Sequence, residues 1–378
     1  MHIPLVPLEQ AVRSHPLITT SRVFDRLSEM FRDVALRSAP PTDHERWHEH
    51  TIDGTAYRFT QPLTLTPYAS SRPCSARCRF CSENLRSGAE QGVPASLLRP
   101  GADYFSVLRQ ALAQLKGLPL SYSLSGLEST DDPDWLLALL HTLRTASAAG
   151  EGPVVGESVL YSNGAGLVTH GDALIPALVS TGVSWVEWSR HHDQDDRNQK
   201  IMRFRDGQSV AQQAEFEHAV RQVAGHLPVK MVCVVQRGGI ETAHDVQRYV
   251  HWAKQLGASM VIFREFSALP AHYQANATRR YVDDARIAID DLMLACLEAP
   301  AFWHNFEPLA LTGGYYFWNS RWQHRDGFEI VFERSDYGLM LEREASGLIY
   351  KLVFHANGNL CAGWQPERNV LWSAHGGR

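Results

Sequence analysis

Residues 63–81 of the chain are LTLTPYASSRPCSARCRFC, an apolar run followed by three closely spaced cysteines. The apolar start predicts a β-strand, and the proline and serines after it predict that the strand ends in a loop. Cys74, Cys78 and Cys81 have the spacing C-x3-C-x2-C, whereas the other three cysteines of the chain are isolated. This clustering indicates that the loop binds a metal ion or an iron–sulfur cluster.

Three thiolates on one loop suit two kinds of centre. Structural zinc has four ligands, so it would need a further residue, and the nearby histidines His44, His48 and His50 are candidates. The polar run that holds them is, however, typical of a solvated segment. A [4Fe–4S] cluster on three cysteines leaves one iron atom open to a substrate or cofactor. Zinc would indicate a non-catalytic binding or scaffold protein, and the cluster indicates an enzyme.

The composition limits the other classes of function. Of the 378 residues, 44% are hydrophobic and 20% are charged, which is typical of a globular chain. The net charge of −5 is not the basic footprint of a nucleic-acid-binding protein. The sequence shows no apolar run of membrane-spanning length, no secretory signal and too few cysteines for a disulfide scaffold. We therefore expect a cytoplasmic protein without membrane or nucleic-acid partners.

Beyond the cysteine loop, strand-like apolar runs alternate with amphipathic helical runs. Six such units with short connections predict an α/β fold, a partial (β/α)6 TIM-like barrel. We expect a helical N-terminal extension at 1–60, the barrel at 61–299 and a β-rich C-terminal extension at 300–378 that caps it. In such barrels the chemistry lies at the carboxyl ends of the strands, where the cysteine loop also falls.

Two details of the extensions are predicted as well. Apolar periodicity predicts a helix over 21–37 with Ser21 as its N-cap, and the run SAPPTD at 38–43 predicts a linker. The C-terminal aromatic residues form either a buried β core or the wall of a substrate pocket. These residues are Tyr315, Tyr316, Phe317, Trp318 and Trp322.

The cysteine motif resembles the signature of radical S-adenosylmethionine (radical SAM) enzymes, and the resemblance covers residues 61–266. It implies one [4Fe–4S] cluster on Cys74, Cys78 and Cys81, with SAM bound at the open iron. In that family the reduced cluster cleaves SAM, and the resulting 5′-deoxyadenosyl radical abstracts hydrogen from a substrate. The protein supplies orientation and excludes solvent. A reductant such as flavodoxin or ferredoxin is implied as a partner.

The resemblance also implies residues that contact SAM. Phe80 corresponds to an aromatic residue that lies near the adenine in the family. The run SGLESTDDPD after the second strand is similar to the family's G-G-E-P segment, whose carbonyls accept the SAM ammonium. Gly126 and Glu128 match this segment, and Glu128 is expected to fix the loop. Leu127 and Ser129 depart from it.

Further polar contacts are implied after the third and fourth strands. Ser162, with Asn163 beside it, is expected to contact the SAM carboxylate or ribose. Ser189 and Arg190 fall where related enzymes place polar contacts, and a guanidinium suits a carboxylate. The alternatives are an ordinary Asn-Gly turn and a surface arginine.

The remaining cysteines bear on the reaction. Cys233, Cys296 and Cys361 are too dispersed to hold a second cluster, so a single cluster is predicted. Cys361 either packs in a hairpin or donates a hydrogen atom to the product radical. The predicted substrate is a small metabolite of a specialised biosynthetic route, and the alternative is a peptide or protein.

Overall fold

The computed structural model describes residues 22–37, 47–68, 70–85, 95–267, 269, 273, 275–314, 317–336 and 348–374. Some features predicted from the sequence lie outside these residues: Ser21, the linker at 38–43, His44, Tyr315 and Tyr316. The helices of the described part are Arg22–Met30 (α1), Tyr104–Gln114 (α2), Pro133–Ala148 (α3), Ala165–Thr181 (α4), Asp195–Met202 (α5), Gln213–Ala224 (α6), Ala243–Gln255 (α7), Ala277–Ala285 (α8), Ile289–Glu298 (α9) and Pro300–Asn305 (α10).

The strands of the described part fall into three stretches of the chain. The first stretch holds Val34–Arg37 (β1), Trp47–Ile52 (β2) and Thr55–Tyr68 (β3). The second holds Pro119–Leu124 (β4), Val154–Ser162 (β5), Trp185–Ser189 (β6), Val229–Val234 (β7) and Met260–Arg264 (β8). The third holds Phe306–Gly314 (β9), Phe317–His324 (β10), Glu329–Ser335 (β11), Leu348–His355 (β12), Asn359–Cys361 (β13) and Val370–Ser373 (β14).

The strands of the described residues form one sheet. Its order is β1-β9-β10-β11-β8-β7-β6-β5-β4-β3-β12-β13-β14, and β2 pairs with β3. The six strands β3 to β8 lie side by side in chain order, and every neighbouring pair among them is parallel. Helices occupy the connections between these strands. This succession of parallel strands and helices confirms the expected partial (β/α)6 barrel.

The C-terminal extension joins this sheet at both of its edges. Strand β11 pairs in parallel with β8, and β12 pairs in parallel with β3. Antiparallel strands then continue outward, with β10 and β9 on one side and β13 and β14 on the other. The predicted β-rich extension therefore covers the edges of the barrel sheet that would otherwise be unpaired, and its role as a cap over the barrel stays a prediction.

The N-terminal extension is only partly helical. The predicted helix over 21–37 is present as α1, and Phe24 and Leu27 on its apolar face are buried. It ends early because residues 34–37 form β1, which pairs with β9 of the C-terminal extension. Strands β2 and β3 form a hairpin, so β3 starts well before the predicted strand. Strand pairing with distant residues here overrides the local helical period.

The two faces of the barrel sheet differ in composition. On β3, Leu63 and Leu65 are fully buried in the main core between the sheet and the helices. Because side chains alternate along a strand, Thr64, Thr66 and Tyr68 lie on the opposite, inner face. The inner face is the concave side of the barrel, and its carboxyl edge leads into the cysteine loop. No helix in the described ranges is both long and apolar enough to cross a lipid bilayer.

Candidate functional site

The cysteine loop follows β3 and is held in place by the segment that ends α5. The backbone N–H groups of Arg77 and Arg79 donate to the carbonyls of Met202 and Ile201, each at 3.1 Å. The Arg205 side chain donates from Nε to the Cys74 carbonyl at 2.9 Å. These bonds satisfy main-chain groups of an irregular loop, so the loop keeps one conformation without regular secondary structure.

The three thiols of the loop influence one another electrostatically. Burial, and after it the Glu128 carboxylate, raises the pKa of the Cys74 thiol to about 12. Burial also raises the pKa of Cys78, and the next contributions come from Cys81 and Cys74. Adjacent buried thiols resist ionisation unless a cation compensates their charge. A cationic cluster supplies that compensation, so the donor set fits an iron–sulfur centre.

The described residues do not form a mononuclear metal site. Within the described ranges, no three His, Cys, Asp or Glu side chains are grouped closely enough to hold one metal ion. A zinc ion needs its ligands around a single point, whereas the cysteines of a [4Fe–4S] cluster bind different iron atoms and stand farther apart. His50 has another partner, the Gln114 carbonyl at 2.7 Å. The described residues therefore do not supply the zinc alternative.

Glu128 joins the ends of two neighbouring barrel strands. Its Oε1 accepts hydrogen bonds from the Ser162 and Thr130 hydroxyls, both at 2.7 Å, and from the Thr130 N–H at 3.1 Å. Its Oε2 accepts from the Asn163 N–H at 2.6 Å. The residue is only 2% exposed. Burial, with Asp131 next, raises the pKa of Glu128 to about 7, against the lowering effect of these hydrogen bonds. Its carboxyl group thus fixes the loop after β4.

Ser162 has a positioning role in this network. Its hydroxyl proton is donated to Glu128, and its oxygen accepts the Gly164 N–H at 2.8 Å. A SAM carboxylate only accepts hydrogen bonds, so Ser162 cannot donate to it while holding Glu128. A contact with that carboxylate would require the bond to Glu128 to break, whereas a ribose hydroxyl could donate to the Ser162 oxygen, so the expected contact with the SAM carboxylate or ribose stays a prediction. Gly164 is required in this turn, since an added Cβ would lie 1.9 Å from the Trp188 indole nitrogen.

Asn163 and Asp131 connect this network to the cysteine loop. The Asn163 side-chain amide donates to the Ser75 hydroxyl at 3.0 Å and lies 3.7 Å from the Cys74 sulfur. Asp131 accepts the Ser75 N–H at 2.6 Å. Sequence reasoning placed Asn163 near SAM and did not single out Asp131. The acidic run STDD contained Asp131, but its partner is more than fifty residues away in the chain.

The backbone after β4 turns through two consecutive residues with positive φ. Gly126 has a φ of 130°, and a Cβ there would approach the Tyr68 ring to 3.1 Å. Leu127 has a φ of 50°, the left-handed conformation that favours glycine. Leucine at this position therefore costs some backbone strain but leaves the turn intact. The SAM contact of Gly126 stays a prediction.

Phe80 lies in an aromatic cluster. Its ring makes an edge contact with His191 at a centroid distance of 4.9 Å and a tilted contact with Phe266 at 5.3 Å. His191 is buried, and burial lowers its pKa to about 3, so its ring is neutral. The ring accepts the Val234 N–H at 3.0 Å. This apolar, uncharged surface suits a flat nucleobase, and sequence reasoning missed the contribution of His191 and Phe266.

Arg190 does not face the cofactor side of the barrel. Its fully buried guanidinium donates to the Val210 carbonyl at 3.2 Å and to Gln213 at 2.9 Å, and it covers the Phe216 ring at 4.2 Å. These partners belong to α6 and the turn before it, on the helical side of the sheet. The expected pairing of Arg190 with the SAM carboxylate is wrong. Ser189, next to it, stays a predicted contact at the end of β6.

The other cysteines are apart from the cysteine loop and from one another. Cys233 is buried on β7, Cys296 on α9 and Cys361 on β13. The Cys361 thiol is directed at the Pro366 carbonyl at 3.7 Å, and burial raises its pKa to about 12. Its predicted role as a hydrogen donor therefore has to operate from a fully enclosed position.

The C-terminal aromatic residues that the structure describes form core. Trp318 and Trp322 are fully buried, and Trp322 contacts Phe302 and Phe31 at centroid distances of 5.2 and 4.9 Å. Only Phe317 is partly exposed among the described members of this group. The interpretation as a buried β core is confirmed for the two tryptophans, and they do not line a substrate pocket.

Of the comparisons with known proteins, only the search of solved structures found matches. No protein-family model and no curated protein matches the chain. It is similar to Streptococcus suis SuiB bound to S-adenosylmethionine, with 16% identity, a TM-score of 0.43, and coverage of 80% of this chain and 60% of SuiB. It is similar to anSMEcpe with bound AdoMet, with 14% identity, a TM-score of 0.43, and coverage of 63% and 61%.

A third similar structure is TYW1 with a lysine-pyruvate adduct bound, at 11% identity and a TM-score of 0.39. The match covers 76% of this chain and 83% of TYW1. In two other matches the chain spans 46% of SuiB and 55% of anSMEcpe, about half of those proteins. The chemistry proposed for the site is therefore based on the residues of this chain and not on those proteins.

Proposed function

We propose that the chain is a radical SAM enzyme with one [4Fe–4S] cluster on Cys74, Cys78 and Cys81. The observation that carries the proposal is the braced loop of three mutually interacting thiols at the carboxyl edge of the barrel. When bound, the cluster and SAM supply one-electron cleavage of SAM and a radical that abstracts hydrogen from a substrate. The loop follows β3 at the carboxyl edge of the barrel sheet, and this position supports the proposal that the barrel orients the reacting groups and shields them from solvent.

Several residues of the chain are proposed to tune and orient the cofactors. The Ala76 N–H lies 3.4 Å from the Cys74 sulfur, and the Asn163 amide also points at it. Hydrogen bonds to a ligating sulfur raise the reduction potential of a cluster, because they stabilise the additional negative charge. Phe80, with His191 and Phe266, is the proposed adenine surface. Glu128 positions the loop after β4 for the SAM ammonium.

The electron donor is proposed to dock on a basic surface around the cysteine loop. Arg77 and Arg79 on the loop and Arg203 and Arg205 on the segment that braces it are all exposed. The hydrogen bonds between these segments keep the arginines together, in a chain with a net charge of −5. A small acidic redox protein, such as flavodoxin or ferredoxin, has the complementary charge. We propose a reductant of this kind as the physiological partner.

The substrate is proposed to be a small metabolite of a specialised biosynthetic route. A peptide or protein is the competing possibility. SuiB has been solved bound to the precursor peptide SuiA, and anSMEcpe with the Cp18Cys peptide, but these contacts belong to those proteins. Anaerobic incubation with a cell extract separated by size decides between the two. Substrate-dependent formation of 5′-deoxyadenosine in the low-mass fraction supports a metabolite, and in the high-mass fraction it supports a peptide or protein.

Anaerobic reconstitution tests the cluster itself. We expect close to four iron atoms and four sulfides per chain, since one cluster is proposed. Dithionite with SAM should then release methionine and 5′-deoxyadenosine. Cys78→Ala should lose the stable cluster and the cleavage of SAM, whereas Cys296→Ala, a buried cysteine on α9, should keep both. Full iron content and activity in Cys78→Ala, or stoichiometric zinc in place of iron, would refute the proposal.

A further inference from the structure

The inner face of the barrel carries a lysine on the strand that the C-terminal extension adds to it. Lys351 on β12 is the register partner of Thr64 on β3, and Val353 is the partner of Thr66. On β12, Leu352 and Phe354 belong to the core on the helical side. Alternation therefore places Lys351 on the inner face, together with the threonines of β3.

The ammonium of Lys351 has an aromatic neighbour. Its Nζ lies 4.4 Å from the centre of the Trp364 ring. Among the described residues, no carboxylate pairs with it, and burial is the sole cause that lowers its pKa, to about 8. Lys230 makes a useful comparison. It lies 3.3 Å from the Trp185 ring, but its register partner on β6 is Glu187, whose charge raises the lysine pKa.

A second polar group on the same face is also unsatisfied. The Thr66 side chain is fully buried, and its Oγ1 has no hydrogen-bond partner in the part of the chain that the structure describes. A buried hydroxyl without a partner and a partly buried ammonium without an anion both cost folding free energy. The two groups lie on the same face of neighbouring strands, offset by two residues in register, and supply a charge and a directional donor. A bound anionic group satisfies both at once.

We propose that Lys351 and Thr66 bind an anionic group, a carboxylate or a phosphate, of the substrate. The identification of the ligand as a substrate rests on the proposed function, whereas the anion site itself does not depend on it. Tyr68 and Trp364, whose rings meet at 5.6 Å, form an aromatic wall beside the site. Because β3 continues into the cysteine loop, an anion held here anchors a substrate below the proposed cofactors, with its reacting end directed toward the carboxyl edge.

Thermal unfolding with simple anions tests the site without any need for the cluster. Sodium acetate is the carboxylate probe and sodium phosphate the phosphate probe, each compared with sodium chloride at equal ionic strength. We expect the Tm of the wild type to rise with at least one probe, since a ligand of the native state stabilises it. Lys351→Met should need about tenfold more probe for the same rise, which corresponds to the loss of one charged contact.

Two further variants keep the test decisive. Lys230→Met removes a lysine that already faces a carboxylate, so its response to the probes should match that of the wild type. Thr66→Val preserves the shape of the side chain and should weaken the response without abolishing folding. Equal responses of Lys351→Met and the wild type, or no rise in the wild type with either probe, would overturn the proposal. A Lys351-dependent rise with SAM but with neither anion would assign the lysine to the cofactor and overturn it as well.

Discussion

Replacing Glu128 with alanine tests the network that joins the two strand ends to the cysteine loop. The substitution removes an acceptor of four hydrogen bonds, from Thr130 N–H, Thr130 hydroxyl, Ser162 hydroxyl and Asn163 N–H. At about 1 kcal/mol of net stability for each bond, the expected loss is about 4 kcal/mol. An unfolding entropy of about 2.1 cal/mol/K per residue then predicts a Tm that is about 5 °C lower.

Glutamine at the same position should have a smaller effect. Its side-chain oxygen keeps the hydrogen bonds that Oε1 accepts, and only the backbone N–H of Asn163 loses its acceptor. The raised pKa of Glu128, about 7, means that part of the wild-type population already carries a neutral acid at neutral pH. We therefore expect a loss of about 1 kcal/mol for Glu128→Gln.

Scanning calorimetry on the anaerobic holoenzyme measures these differences, with SAM binding by equilibrium dialysis as the second readout. Glu49→Gln is the matched control, since that carboxylate lies on β2 and forms an exposed pair with Arg58 at 3.1 Å. The Glu49→Gln substitution should change the free energy of unfolding by no more than about 0.5 kcal/mol. The reasoning fails if Glu128→Ala melts within 1 °C of the control, or binds SAM as tightly as the wild type, with ~1 °C taken as the resolvable difference.

Three more outcomes are expected. Arg77→Glu with Arg203→Glu should slow SAM cleavage driven by flavodoxin by about tenfold at low salt, with no change when dithionite is the reductant; parallel losses would disprove the docking surface. If Cys361 donates hydrogen, Cys361→Ala should form 5′-deoxyadenosine but lose the product or its stereochemistry, and unchanged product assigns the residue to packing. The lowered pKa of Lys351 means that the unfolded chain holds more protons than the folded one between pH values of about 8 and 10.5. Stability measured in urea should therefore rise with pH across this window relative to Lys351→Met, and identical profiles would contradict the burial of the charge.

Local patterns were sufficient for the parts of the molecule in which neighbouring residues decide the structure. The alternation of apolar strands and amphipathic helices predicted the order of β3 to β8, because each βα unit buries its own apolar face. The spacing of Cys74, Cys78 and Cys81 predicted a shared centre, and the structure brings their thiols into electrostatic contact. The resemblance to radical SAM enzymes also implied that Glu128 fixes its loop, and one of its hydrogen bonds is indeed local, from the Thr130 N–H two residues further along the chain.

Contacts between distant parts of the chain decided the rest. Arg190 looked like a free cation at the end of β6, and only the packing of α6 against that strand shows where its guanidinium goes. Ser162 looked like a ligand contact, but in this structure its one proton is donated to the Glu128 carboxylate, in the loop after the neighbouring strand. The pairing of β11 and β12 with the two edges of the barrel depends on register across the whole chain. Sequence by itself therefore determined the succession of elements and the metal-binding loop, because both depend on residues close together in the chain. Tertiary structure alone decided which polar groups are already satisfied and which, such as Lys351, have no anionic partner among the described residues, because hydrogen bonds and ion pairs join residues that only folding brings together.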